Sequence, residues 1–457
     1  MPPWTSCRPS PGADAVSRPA APSWAHTFPT LRHPARDAAR RRAHETGAAL
    51  AGARRGGTRE DVSLERAPGR VAAADVRAAV PVPHYASSAM DGYAVSGRGP
   101  WTIVSSSAGS GHTGPGTAPS RTAGPGPAHE PAGATPPPVL PSAASAIVLA
   151  PGTAVPVVTG GVIPGGATTV VREEFALRRG DRLDLDPAAP RTELAGRHIR
   201  PAGTECAAHE LLFRAGSVLS PADAAFAAVA GLDVLPVRAV PRVALLLTGS
   251  EVITSGLPAP GFVRDAFSMS LPAMLAAYGA RVDGVQRVPD EPGALAAAFE
   301  AACADHDLVV TTGGTSRSRA DLVRPLVERE CHLLVEQLDL QPGHPTLLGA
   351  APHAAVLALP GNPLGAVVGL LLLGGALLAG FSGRAPVPFE PVTSGAAVAG
   401  GRAERLVPAR RRDGTWVPCR SVGSNMLRGL AAADAVLAVP RGGLEPGDPT
   451  VVLPLPW

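Results

Sequence analysis

The stretch from Arg242 to Leu364 constrains the fold more than any other part of the chain. Three apolar runs in it each end in a loop of small and turn-forming residues. VALLL runs into Thr248-Gly249-Ser250-Glu251, DLVV into Thr311-Thr312-Gly313-Gly314-Thr315-Ser316, and VLA into Leu359-Pro360-Gly361-Asn362-Pro363. Helix-compatible stretches (SMSLPAMLAAYG, EPGALAAAFEAACA) and a further strand-like run, RVDGVQRV, lie between them. Strand and helix alternating at this spacing predict an α/β domain with a doubly wound parallel sheet over residues 241–384. In such sheets ligands bind beyond the carboxyl ends of the strands, where helix N-termini present free N–H groups. Glycines and small hydroxyl residues there let backbone amides approach phosphate oxygens closely. Any one of these loops could be an ordinary strand-to-helix turn. Three in one domain predict a phosphate-bearing small molecule held by Thr248, Gly249, Gly313, Gly314, Ser316, Pro360, Gly361 and Asn362.

Acids beside the loops extend that chemistry. Glu251, Asp290 and Asp321 offer hard oxygen ligands for Mg²⁺, which takes one or two carboxylates together with substrate phosphate. The competing reading is a helix cap or a surface charge, and it suits Asp290 better than Asp321.

The rest of the chain reads as smaller β modules and low-complexity sequence. Residues 1–30 are Pro-rich and predicted to be disordered, and 105–143 are mostly Ser, Gly, Ala, Pro and Thr. That second tract interrupts the short strand-like runs WTIV, AIVLA, AVPVVTG, TTVVREEF and DRLDLD, which predict a β domain over 85–205 with an insert. Residues 31–84 with 206–240 are expected to form a linking domain. WVPCRSV, AVLAVP and PTVVLPL predict a small C-terminal β barrel or sandwich over 385–457. With 52 glycines and 51 prolines among 457 residues, many loops are unavoidable, and an aromatic content of 4% requires an aliphatic interior.

Charge and cysteine usage exclude several classes. A formal charge of +3, with no basic run interleaved with aromatics, argues against a nucleic-acid partner. All the basic side chains except histidine are arginine, a compositional bias. Cys7, Cys206, Cys303, Cys331 and Cys419 are widely spaced without a CxxC pair, giving neither a zinc signature nor a disulfide framework, and a reducing cytoplasm fits. The Arg-rich RDAARRR at Arg36–Arg42 reads either as part of a transit-like presequence or, preferably, as an amphipathic helix of the first domain. The uncharged run LGAVVGLLLLGGALLAGF, 364–381, follows the PGNP loop directly, so it predicts a buried helix packed on a sheet rather than a membrane span.

The order TGSEV, DLVVTTGGTSRSRAD, LQPGHPTLLG, LALPGNP resembles the molybdopterin molybdenumtransferase family, which includes MoeA and the E domain of gephyrin. Upstream, VPHYASSAMDGYAV, TGGVIPGGATTVVREE and GRHIRPAGTE are similar to further segments of that family in the same order. The resemblance implies an elongated multidomain protomer, a homodimer with shared active sites, and insertion of molybdate into adenylylated molybdopterin with release of AMP. It implies catalytic roles for Asp91, Glu251 and Asp321, with Asp91 and Thr159 reaching into the partner's site. Glu251, Asp290 and Asp321 match the acids near the Mg²⁺ and nucleotide, and Ser424 in GSNML matches a serine near the molybdate pocket.

Three departures from the family pattern bear on activity. TGDE reads TGSE here, and GGVSVG reads GGTSRS, which puts Arg317 and Ser318 in a tight turn. The KPGKP element, whose lysines are the implied oxyanion ligands, reads Gln341-Pro342-Gly343-His344-Pro345. Gln341 and His344 carry less positive charge at neutral pH than two lysines, with Arg317 and Arg405 as candidate replacements. Two readings therefore stay open: a working transferase with a rearranged molybdate pocket, and a degenerate relative that binds molybdopterin or its nucleotide as a carrier or sensor.

Overall fold

In the computed structural model, residues 21–54, 58–104, 148–190, 196–318 and 321–457 are described. The tract 105–143 lies outside them, as do residues 1–20 of the segment expected to be disordered. The described residues fall into two units. One takes the described residues of Met1–Asp75, Arg214–Pro221 and Val234–Trp457, and the other those of Val76–Phe213 and Ala222–Asp233.

The first unit is organised by a seven-stranded sheet. Its strands are β1 (Leu31–Arg32), β2 (Arg242–Leu247), β3 (Arg281–Arg287), β4 (Leu308–Thr312), β5 (His332–Glu336), β6 (Leu347–Ala350) and β7 (Ala355–Leu359). Their order across the sheet is β1-β5-β6-β7-β4-β2-β3. The run β7-β4-β2-β3 is parallel, as the strand–helix alternation predicts, but β6 is antiparallel to both β5 and β7, so the sheet is mixed. The central strands are buried on both faces, which is why they read as unbroken aliphatic runs. Side chains alternate between two cores: Val243, Leu245 and Leu247 enter one, Ala244 and Leu246 the other.

Helices α1 (Arg36–Ala53), α2 (Phe267–Ala277) and α5 (Pro363–Ser382) contribute to the first core; α3 (Pro292–Asp305) and α4 (Val323–Glu330) contribute to the second. Helix α5 is long and apolar enough to cross a membrane, yet it is entirely buried inside this domain. Its middle turn, Leu370–Gly374, is π-helical.

Residues 31–54 do not form part of a separate linking module. β1 pairs in parallel with β5, and α1 lies directly on α5. A Cβ on Gly47 would sit 1.9 Å from the Leu377 carbonyl oxygen, and one on Gly380 would sit 2.0 Å from that of His44. The small face of α1 (Ala39, Ala43, Gly47, Ala51) therefore seats against a glycine-rich helix, a match visible only once α5 is placed. Residues 21–30 of the segment expected to be disordered are ordered instead. Ala25 is fully buried, Trp24 Nε1 donates to the Ala351 carbonyl at 3.2 Å, and Phe28 packs on the same core, so three apolar anchors outweigh a Pro-rich context.

The C-terminal part of this unit is a largely antiparallel sheet of Leu340–Gln341, Glu404–Arg412, Ala435–Val439, Pro449–Pro454 and Glu390–Thr393, with Thr415–Pro418 paired to Glu404–Arg412. A bridge between Ser394 and Trp416 links the Glu390–Thr393 strand to Thr415–Pro418 and closes the sheet into a ring. Leu340–Gln341 comes from the α/β segment and pairs in parallel with the start of Glu404–Arg412, setting Gln341 opposite Arg405.

The second unit holds a six-stranded sheet in the order Thr169–Arg172, Gly92–Val95, Thr153–Val157, Trp101–Ile103, Arg182–Leu185, Ala176–Arg179. Val95, Trp101, Ala154, Val171 and Leu183 form its core. Gly92 has φ of +150°, and a Cβ there would meet the Val171 carbonyl oxygen at 2.0 Å, so only glycine fits in the MDGYA segment. Residues 206–213 and 222–233, expected in the linking domain, belong to this unit, where Cys206 and Ala230 pack with Ala78 and Val82.

Candidate active site

The parallel strands β7, β4, β2 and β3 end side by side, and their loops line one cleft of about 740 Å³. Thr248, Gly249, Glu251, Asp290, Gly313, Gly314, Ser316, Asp321, Gly361 and Asn362 all line it, so most residues singled out from sequence in the α/β domain converge. Glycine is required at the turns. Gly249 and Gly313 have φ of +116° and +85°, and a Cβ on Gly313 would meet Thr248 Oγ1 at 2.8 Å.

Not every backbone donor expected to face a phosphate does so. Thr248 donates through both its amide (3.3 Å) and its hydroxyl (2.7 Å) to the Thr312 carbonyl, and the Gly313 amide donates to Leu359 at 3.0 Å. These bonds stitch the three loops to one another. At the start of α5, the Leu364 and Gly365 amides donate to the Ser424 carbonyl at 2.9 and 3.3 Å, so the GSNML loop caps the helix. The Gly314, Thr315 and Ser316 amides have no partner among the described residues, and all three residues line the cleft.

The three acids play different parts. Asp290 accepts the Gly249 amide at 3.2 Å and the Ser250 amide at 2.7 Å, which makes it a loop cap. Asp321 accepts the Ser318 amide at 3.0 Å through one oxygen, leaving the other for a ligand. The exposed Glu251 carboxylate lies over Gly249 with no side-chain hydrogen bond among the described residues. Among the described residues no three His, Cys, Asp or Glu side chains come close enough to hold a metal ion. Glu251 and Asp321 instead offer the sparse carboxylate set that suits Mg²⁺ sharing its shell with phosphate and water.

A second cleft, of about 400 Å³, is lined by Gln341, His344, Pro360, Asn362, Arg405 and Ser424, so Asn362 borders both. His344 is turned away from a simple lysine-like role. Its Nδ1 lies 2.6 Å from the Leu338 carbonyl and must donate to it, and its ring stacks on His33 at 5.5 Å between centroids. Arg317 does not line this cleft; its guanidinium pairs with Glu336 at 3.3 Å, and Arg324 reaches the same oxygen at 3.2 Å. Arg405 is the lining cation. One of its amino groups donates to the Ala399 carbonyl at 2.7 Å, and β-pairing holds its backbone opposite Gln341.

Sequence reading missed Arg264, Asp265, Arg287 and Asn425, which also line the larger cleft. Asp265 was findable as a cap, since its Oδ1 accepts the Phe267 and Ser268 amides at the start of α2. Burial alone would push its pKa up, but the Ser268 and Phe267 hydrogen bonds and Arg287 bring it below the usual carboxylate value.

Two family models match the chain: the MoeA N-terminal region (domain I and II) over residues 35–231, and a probable molybdopterin binding domain over 244–379. Molybdopterin molybdenumtransferase 2 of Mycobacterium tuberculosis H37Rv is 30% identical, over 84% of this chain and 91% of that protein. The chain belongs to the molybdopterin molybdenumtransferase family. A Nostoc member is also 30% identical, over 68% of this chain and 66% of its own. The crystal structure of the molybdopterin biosynthesis MoeA protein from Pyrococcus horikoshii superposes with a TM-score of 0.66 at 22% identity, covering 90% and 98% of the two chains, which establishes the shared fold.

In the second unit, family membership directs attention to the MDGYA segment. Asp91 Oδ1 accepts both the Thr159 amide at 2.6 Å and its hydroxyl at 2.9 Å. Those two bonds, the amide first, hold the Asp91 carboxyl below its usual pKa, so it is an exposed, fixed anion at neutral pH. Glu205 is also exposed in this unit.

Proposed function

We propose that this chain is a working transferase that inserts molybdate into adenylylated molybdopterin and releases AMP. The observation that carries the reading is the pair of clefts meeting at Asn362, one with unpaired loop amides and open carboxylate oxygens, the other with Arg405. The Gly314–Ser316 amides would hold the phosphoanhydride, and Glu251 and Asp321 would hold Mg²⁺. When bound, Mg²⁺ supplies charge neutralisation at the phosphate oxygens. The Asn362 loop would hold the ligand where the two clefts meet, and Arg405 with Ser424 would retain the molybdate oxyanion beside it. Gln341 and His344 flank that pocket, with His344 acting chiefly as its wall. The carrier-or-sensor alternative is less well supported, because the acids needed for the reaction persist in open positions.

A homodimer belongs to the same proposal, with Asp91 and Thr159 of a second copy completing each site. Their mutual hydrogen bonds fix the Asp91 charge at an exposed position, as a group acting on another subunit requires. A cytoplasmic location follows from the reaction proposed. Purified protein given adenylylated molybdopterin and Mg²⁺ should release AMP on addition of molybdate. Tight nucleotide binding with no molybdate-dependent AMP release would overturn the enzyme reading in favour of the binding protein.

A further inference from the structure

We infer that Arg324 is a positioning residue of the larger cleft: from behind the Gly313–Ser316 turn it aims the Thr315 and Ser316 amides at the phosphates. The inference rests on the function proposed above and deepens it, by accounting for what keeps those two donors available. Arg324 does not itself line the cleft. It is the second residue of α4, and only 4% of it is exposed.

Arg324 grips the turn twice. Its backbone amide donates to the Gly314 carbonyl at 2.9 Å, and its Nη1 donates to the Thr315 carbonyl at 3.3 Å. A trans peptide unit is planar, so its C=O and N–H point in opposite directions. The Gly314 carbonyl shares a unit with the Thr315 amide, and the Thr315 carbonyl shares one with the Ser316 amide. Drawing both carbonyls towards Arg324 therefore turns both amides away from it. Neither amide has a partner among the described residues, and both residues line the cleft. Successive amides aimed to one side make a cradle for an anion.

The guanidinium is itself held. Its Nη2 donates to Glu336 Oε1 at 3.2 Å, and its Nε pairs with Glu328 at 2.9 Å. Glu336 is buried at the end of β5, and the same oxygen accepts Arg317 Nη2 at 3.3 Å from the exit of the turn. Arg32 Nε lies 3.5 Å from its other oxygen. Each nitrogen of the Arg324 guanidinium thus has an acceptor, so the arm on the Thr315 carbonyl cannot swing away without breaking an ion pair. Donors fixed before the ligand arrives cost no reorganisation when it binds.

The test is Arg324→Lys in the full chain, read by calorimetric titration with AMP and by steady-state kinetics. Lysine keeps a cation beside Glu336, but its single compact ammonium lacks the planar fork that serves Glu336 and the Thr315 carbonyl together. AMP binding should weaken by about tenfold at unchanged stoichiometry, roughly the worth of one charge-assisted hydrogen bond. KM for adenylylated molybdopterin should rise by a similar factor, while KM for molybdate, bound in the smaller cleft, changes by less than about twofold. A purely structural role would instead lower the denaturation midpoint or the stoichiometry and leave the affinity of the folded fraction alone. Should that variant not fold, Glu336→Gln keeps the volume and an acceptor, removes the charge that anchors the guanidinium, and should weaken AMP by about threefold or more. A folded variant with wild-type affinity for AMP, or with both KM values raised alike, would overturn the positioning role and leave the proposed function standing. A wild-type chain that does not bind AMP would overturn the phosphate reading of the cleft, and this inference with it.

Discussion

Adding one positive charge to the smaller cleft tests whether it is the molybdate site. Gln341→Lys is the cleanest substitution, because the Gln341 side chain is exposed, lines the cleft and lies opposite Arg405 across a parallel ladder. His344→Lys would be less informative, since it would also break the contact with the Leu338 carbonyl and the stack on His33. Two unit charges 4 Å apart at an effective dielectric of about 20 interact by about 4 kcal/mol. Solvent screening and the entropy of fixing a lysine reduce exposed pairs to about 1 kcal/mol or less. An oxyanion gaining about 1 kcal/mol should show a KM for molybdate lowered about fivefold. The assay is molybdate-dependent AMP release over a range of ionic strength, and the gain should shrink as salt rises. Arg405→Ala should move KM in the opposite direction. If neither substitution changes the KM for molybdate while AMP release continues, the oxyanion binds elsewhere and this assignment of the pocket is wrong.

Other expectations follow from the same geometry. If Asp91 serves the partner's site, Asp91→Ala and Glu251→Ala are each inactive, but a randomly reassorted equal mixture regains about a quarter of wild-type activity, because half the dimers are mixed and each carries one intact site. No recovery on mixing would place both residues in one subunit's site. Gly47→Ala should destabilise the chain by about 1–3 kcal/mol, read as a lowered denaturation midpoint, because its methyl would meet the Leu377 carbonyl oxygen at 1.9 Å. Asp265→Asn should cost about 1–3 kcal/mol at neutral pH through its bonds to Phe267, Ser268 and Arg287. The folded-state pKa of Asp265 is depressed, so its stabilisation is present above the unfolded value and is lost as pH falls through the folded one. The wild-type and variant denaturation midpoints should therefore converge as pH falls below the usual carboxylate range. A gap that stays constant as pH falls well below that range would show that charge is not what Asp265 contributes.

What was legible in the sequence, and what was not, follows from the range of the interactions involved. The aliphatic runs ending in Gly-rich loops revealed β2, β4 and β7 because burial on both faces leaves no choice of residue. The long strand Glu404–Arg412 escaped notice because its apolar part, Leu406 to Ala409, contains a proline and runs straight into three arginines. The small face of α1 gave only a weak signal, since alanines and glycines become meaningful only against the glycines of α5.

The site shows the same division more sharply. Which loops form the cleft follows from local sequence, but which donors in them remain available depends on pairings between loops. Thr248 bonds to Thr312, Gly313 to Leu359, and Leu364 to Ser424, each across 46 to 64 residues of sequence. The lost KPGKP lysines are a case where sequence alone pointed two ways. Arg317 and Arg405 were equal candidates to replace them, and geometry separates them, because Glu336 engages Arg317 while the β-ladder delivers Arg405 to the cleft opposite Gln341. A charge lost from one strand of a ladder can thus be supplied by its neighbour, which makes the departure at Gln341 weaker evidence of degeneracy than the motif alone suggests.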